Sequence, residues 1–191
     1  MRHVFTALTA AAALAVATTS AQAADYVTEP THTAAAFEIS HFGASINRAR
    51  FDKEEGKIQF DAAAKTGRVE LTIDVNSISS GVAQFDKHLK SPDIFDAEKF
   101  PTVKFVGDKF NFNGDKVASV DGQLTIKGKT HPVTLKAIQF NCYQSPMLKR
   151  EVCGGEFDAT IDRTQFDLGY GMGMVTGKDV RIIATVEAVR Q

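Results

Sequence analysis

Side chains alternate between apolar and polar with a period of two over most of this chain, and that pattern leaves few folds open. Phe37, Ile39 and His41 share one face while Glu38 and Ser40 share the other; Ile58, Phe60 and Ala62 alternate with Gln59 and Asp61. Val69, Leu71, Ile73 and Val75 oppose Arg68, Glu70, Thr72 and Asp74. The period returns at Val103 and Phe105, at Phe110 and Phe112 ahead of an Asn113-Gly114 turn signal, and at Val120, Gly122, Leu124 and Ile126. A Lys127-Gly128-Lys129 turn leads to Val133, Leu135 and Ala137, then come Phe157, Ala159 and Ile161, and last Val180, Ile182, Ala184, Val186 and Ala188. About eight or nine strands joined mostly by short turns, each with one apolar face, predict one all-β domain: an antiparallel sandwich or an up-and-down barrel. A barrel of about eight strands has an interior just wide enough to be filled by side chains or to hold one small ligand. Its inward set here is Phe, Ile, Leu, Val and Ala, so any space left inside suits an apolar chain.

One stretch, FDKHLKSPDIFDAEKFP from Phe85 to Pro101, interrupts the strands. Phe85 and Leu89 stand four apart, as do Asp86 and Lys90, which suits one or two turns of helix. Ser91-Pro92 reads as the start of a second short helix, and Pro101 forces Phe100 toward extended geometry and ends it. A short helical crossover near 80–99 that closes one mouth of a barrel is the expected result.

The N-terminus has the marks of a secretory signal peptide: Arg2 and His3, an apolar run from Ala7 to Ala17, and Ala21-Gln22-Ala23 as a cleavage pattern. That run is shorter than the roughly 20 residues a membrane span needs. Cleavage near Ala23 predicts an exported chain, periplasmic or secreted, with residues 24–191 as its one domain and no transmembrane segment. Residues 1–23 contain a single charged residue, Arg2, so the net charge moves from -1 to -2. Such a balance offers no basic field for nucleic acid. Cys142 and Cys153 flank a turn-like segment, and in an oxidising compartment a disulfide across a hairpin is expected of them. Their spacing is unlike the C-x-x-C of a redox or metal pair.

No catalytic motif accompanies the ionisable groups of the crossover: there is neither G-x-S-x-G nor H-E-x-x-H. Asp86 and His88 are therefore expected to fix the crossover or to meet a ligand headgroup, with acid/base catalysis by the pair as the lesser alternative. Gly169-Tyr170-Gly171-Met172-Gly173-Met174 fails the dinucleotide G-x-G-x-x-G spacing, and no helical pattern follows it. It reads as a loop at a barrel rim, with Met172 and Met174 as adaptable apolar contacts near an opening. No two of His32, His41, His88 and His131 have metal-ligand spacing, so no metal is expected. His41 lies on the apolar face of its strand, where a polar group needs a partner.

Several landmarks follow one another along the chain: Thr31-His32-Thr33 with Phe37 and His41; Asp86-Lys87-His88-Leu89 with Ser91, Asp93 and Phe95; and Phe100-Pro101. Gly122-Gln123-Leu124-Thr125-Ile126, Gly128, Thr130-His131-Pro132-Val133, Ile161-Asp162-Arg163 and the Val180 strand complete the series. In this order they resemble the YceI-like family of exported, lipocalin-like polyisoprenoid-binding proteins. The resemblance implies an extended antiparallel β-barrel holding a polyisoprenoid, a quinone or another long-chain amphiphile, with no cofactor required. It also implies a link to b-type cytochromes in some relatives, hence an alternative role as a quinone-binding electron-transfer partner. The family often has an Arg before the Asp-x-His-Leu element, where this chain has Phe85, and the cysteine pair is not a general family feature. The expected channel lining is Phe37, Ile39, His41, Phe60, Leu71, Ile73, Phe105, Leu124, Ile126 and Phe157, with Met172 and Met174 near its mouth.

Overall fold

The computed structural model describes residues 23–191. The signal-peptide expectation falls on residues outside that range. Within it the alternating segments become strands β1 (Ala24–Thr28), β2 (Ala34–His41), β3 (Ser45–Phe51), β4 (Glu54–Asp61) and β5 (Thr66–Asp74). The two-residue β6 (Ile78–Ser79) and helix α1 (Ala83–Lys90) form the crossover. Then follow β7 (Thr102–Asn113), β8 (Lys116–Ile126), β9 (Lys129–Gln144), β10 (Glu151–Asp162) and β11 (Thr176–Arg190). All pairings are antiparallel, in the ring β1-β4-β5-β7-β8-β9-β10-β11, and β11 pairs back onto β1. Eight strands thus close a barrel and leave no free edge around this ring. β2 and β3 prolong the wall beyond β1 and β4: Ala34–Ile39 lie against Val180–Thr185 of β11, and Ala35–His41 against Ser45–Phe51.

Two of the strands, β1 and β3, break the simple apolar-inward pattern. In β1 the buried positions are Tyr26 and Thr28 while Val27 is exposed; in β3 Ala49 and Phe51 are buried while Ile46 is exposed. Elsewhere a change of parity hides the length of a strand. Val103 and Phe105 are odd-numbered and Phe110 and Phe112 even-numbered, yet all belong to β7, because a register shift between Gly107 and Lys109 moves the inward phase by one residue. The Asn113-Gly114 and Lys127-Gly128 turns join β7 to β8 and β8 to β9. Lys127 (φ 49°) and Gly128 (φ 72°) both take the left-handed conformations of a two-residue hairpin loop.

β3 leaves the barrel wall incomplete on one side, since its free edge meets only β6, at Arg50↔Ser79 and Phe51↔Ile78. The crossover covers this place. Its base is tied by the Val75 N–H donating to Pro101 O at 2.9 Å, and its helix by the Asp86 carboxylate, which accepts from Ser80 N at 2.7 Å and from Ser80 Oγ at 2.5 Å. The second helix expected from Ser91-Pro92 does not form. Ser91 instead terminates α1: its hydroxyl donates to His88 O at 2.7 Å, and Ile94 and Asp96 N–H groups return to Ser91 O. Asp96 then adopts φ 49°, which turns the chain before a helix can propagate.

The buried side chains form one core that lines the lumen and includes Tyr26 and Ala188. Aromatic rings gather at two places within it. Phe37, Phe51 and Phe95 meet at 5.7–6.3 Å between centroids under the crossover. At the other end Phe60 meets Phe110, Phe112 and Phe140 at 5.7–6.2 Å. Cys142 and Cys153 are directly opposed in the β9–β10 ladder and are joined by a disulfide, S–S 2.06 Å.

Candidate functional site

A cavity of about 350 Å³ occupies the half of the barrel that the crossover covers. Volumes of roughly 300–1,000 Å³ are usual for ligand pockets. Along β11 its wall runs from Thr176, opposite His41, to Thr185, opposite Ala34. On the opposing strand, the seven steps from His41 to Ala34 at about 3.3 Å each make that roughly 23 Å. Phe37, Ile39, Leu71, Ile73, Phe105, Leu124 and Ile126 line it, each an inward residue of its strand. Phe85, Leu89, Ile94 and Phe95 close it from the crossover side. Phe85 thus adds apolar surface to the lining.

A second cavity of about 70 Å³ continues the lumen toward Tyr26, Phe140 and Cys153. Phe60 and Phe157, expected in the lining, face this smaller space and not the larger one. Leu71, Phe105, Leu135, Ala184 and Val186 border both. Phe105 lies over the cross-strand pair Gly107 and Gly122: a Cβ at Gly122 would stand 2.6 Å from its Cζ, and one at Gly107 2.9 Å from its Cε1. Two absent side chains let this ring lie against the wall and keep the lumen clear.

Polar groups in the larger cavity are few. His41, edge-on to Phe42 at 4.8 Å, and His88, edge-on to Tyr170 at 4.9 Å, stand at the Thr176 end. Arg163 is buried there and has no carboxylate partner among the described residues. Its guanidinium donates to the carbonyls of Gly177, Leu168 and Tyr170 and to Thr176 Oγ1, and burial lowers its pKa below the ordinary value. It holds the loop between β10 and β11 in place. Within that loop Gly171 (φ 67°) and Gly173 (φ 80°) make tight turns closed by Val175 N–H to Gly171 O and Gly173 N–H to Thr176 O. These turns present Tyr170, Gly171 and Val175 to the cavity. Met172 and Met174 lie outside both linings and are 47% and 79% exposed.

Thr33, Asn47, Tyr170, Thr176 and Thr185 also border the cavity, and its one carboxylate is Glu54, at the first position of β4 and 9% exposed. Here β1 gives way to β2 along β11, and side chains add bonds to the strand ladders. Gly56 N donates to Thr28 Oγ1 at 2.9 Å, and Ala35 N donates to Glu54 Oε1 at 2.6 Å. Glu54 Oε2 is buried with no partner among the described residues. Burial, relieved in part by the Ala35 bond and the Arg50 charge, pushes the Glu54 pKa up to about 7. In the sequence Glu54 stands in the charged run Asp52-Lys53-Glu54-Glu55, which carries no apolar signal of its own. Yet Phe60, Ile58, Gly56 and Glu54 share one parity, and that signal places it inward.

Asp86 and His88 do not form a pair. The Asp86 carboxylate is engaged by Ser80, which lowers its pKa, while the His88 ring lines the cavity. Among the described residues no group of three or more His, Cys, Asp or Glu could hold a metal ion, and no helix is long and apolar enough to cross a membrane.

The profile of the YceI-like domain matches residues 26–188. A UPF0312 protein from Shewanella denitrificans is 36% identical over 180 residues, covering 91% of each chain. Among solved structures, BcnA from Burkholderia cenocepacia superposes with a TM-score of 0.70 at 24% identity, covering 84% of this chain and 98% of that one. A polyisoprenoid binding domain from Saccharophagus degradans gives 0.62 at 14% identity, covering 88% and 99%. At such identities the solved structures speak for the fold alone.

Proposed function

This chain belongs to the YceI-like family, and from that footing we propose that it is an exported binding and carrier protein for a polyisoprenoid or similar long-chain amphiphile. The observation that carries the reading is the apolar cavity running along β11, walled by strands and closed at the side by the crossover. Each CH₂ moved from water into such a space gains about 0.8 kcal/mol, so a long apolar chain supplies its own driving force. The protein has only to exclude water and keep a mouth open. The Saccharophagus degradans domain, described as polyisoprenoid binding, supports the choice of guest. A carrier of this kind catalyses no reaction. In support of that, no hydrogen bond links Asp86 to His88, and Asp86 is spent on Ser80.

Native mass spectrometry and organic extraction of protein purified from a periplasmic fraction test the proposal together. The expected result is a co-purifying amphiphile in the exported protein. Protein that is empty, and that takes up neither a prenyl alcohol nor a quinone when offered one, overturns it.

A further inference from the structure

Glu54 raises a question that apolar sequestration does not answer. A hydrocarbon-binding wall gains nothing from a carboxyl, and burying a polar atom without a partner costs free energy. Holding the Ala35 N–H needs one oxygen, and Oε1 supplies it. Oε2 remains, buried, on a side chain that lines the cavity. Arg50, the nearby cation, is paired with Asp52 through Nε–Oδ1 at 2.6 Å, so it is not committed to neutralising Glu54. The position is also unlike the mouth. Glu54 sits with Ala34, Ala35 and Thr185 at the far end of the larger cavity from Thr176, Tyr170 and His88.

We propose that Glu54 is an interior recognition site, its Oε2 making a hydrogen bond with an uncharged oxygen group of the guest: an alcohol, a carboxamide or a quinone carbonyl. This rests on the carrier reading and adds to it a preference for one class of polar group held deep in the barrel. The carboxyl form, favoured by the surrounding apolar wall, donates its proton to such an oxygen. An anionic group cannot be served in the same way: it meets a carboxyl whose ionised form repels it, and the neighbouring cation is already paired. Phosphorylated guests are therefore expected to leave their charge at the mouth.

The test compares farnesol, farnesane and farnesyl phosphate as competitors for N-phenylnaphthylamine bound in the barrel of the wild-type protein and of Glu54→Leu and Glu54→Gln. Glu54→Leu is expected to weaken farnesol by about tenfold, the equivalent of one hydrogen bond. It should leave farnesane and farnesyl phosphate unchanged or tighter. Glu54→Gln, which keeps an acceptor for Ala35 N and a polar group toward the cavity, should hold farnesol within a few-fold of wild type. An equal response of farnesol and farnesane to Glu54→Leu overturns the proposal while leaving carriage intact. Failure of all three competitors on wild-type protein overturns carriage and this site with it. A second measurement does not depend on the Leu variant folding. In the infrared difference spectrum of wild-type protein, farnesol should shift a carboxylic acid carbonyl band that is missing from Glu54→Gln, and farnesane should not. No shift with farnesol overturns the proposal.

Discussion

Ionising Glu54 places a charge in a wall where the nearest cation, Arg50, is paired with Asp52. Its folded-state pKa of about 7 lies above the ordinary carboxylate value of 4.5, so between those values the folded chain binds the extra proton. Stability tied to this group is therefore fully present below about 4.5 and is lost as pH rises through about 7. The shift sets an upper bound of about 3 kcal/mol on the loss. Glu54→Gln, with nothing to ionise, should be more stable than wild type at pH 8 and gain no such advantage at pH 4.5. Urea titrations at the two pH values check this; an equal difference at both would place the cause elsewhere. The same residue shows what could be read from the sequence. Its parity with Ile58 and Phe60 is visible, but its burial depends on Ala35 of β2 and Thr185 of β11, which strand pairing brings beside it.

At the scale of elements, the crossover is the part whose role and shape were reached separately. The four-residue spacing of Phe85 with Leu89 gives α1, and Pro101 ends the segment, as their chemistry requires. What Ser91 does depends on its neighbours: a residue suited to starting a helix closes one instead, because Asp96 takes a left-handed turn five residues on. The link from Ser80 to Asp86 holds the front of α1 over the cavity. Asp86→Ala should loosen this cover without opening the sheet. Hydrogen exchange would then be faster by several-fold for amides of residues 80–90 and unchanged in β7 to β10, and apolar guests would be taken up more quickly. Unaltered exchange in the helix would show that packing of Phe85 and Leu89 alone holds it.

The whole molecule is a closed ring whose lumen is divided between two spaces bordered by the same five residues, among them Ala184. Ala184 lies between Ala35 on one neighbouring strand and Phe157 on the other. Its small side chain stands on the border between the two spaces. Ala184→Phe should weaken solanesol by about tenfold or more beyond any loss for farnesol, which is short enough for the larger space. Equal losses for both prenyl alcohols would mean that the guest never reaches the second space. The all-β class, the hairpin turns and the apolar character of the interior belong to the sequence by itself, because a two-residue period and left-handed turn residues act over a few neighbouring positions. The opposed cysteines were also legible, since only a short segment separates them. Which inward side chains pack together and which leave room was decided by the tertiary structure. Register shifts in β7 and β9–β10 reset the inward phase, and closure through β11 brings Glu54, Ala35 and Thr185 to one place. The first are irregularities of pairing and the second joins strands far apart in the chain, and no local pattern specifies the distance across a barrel.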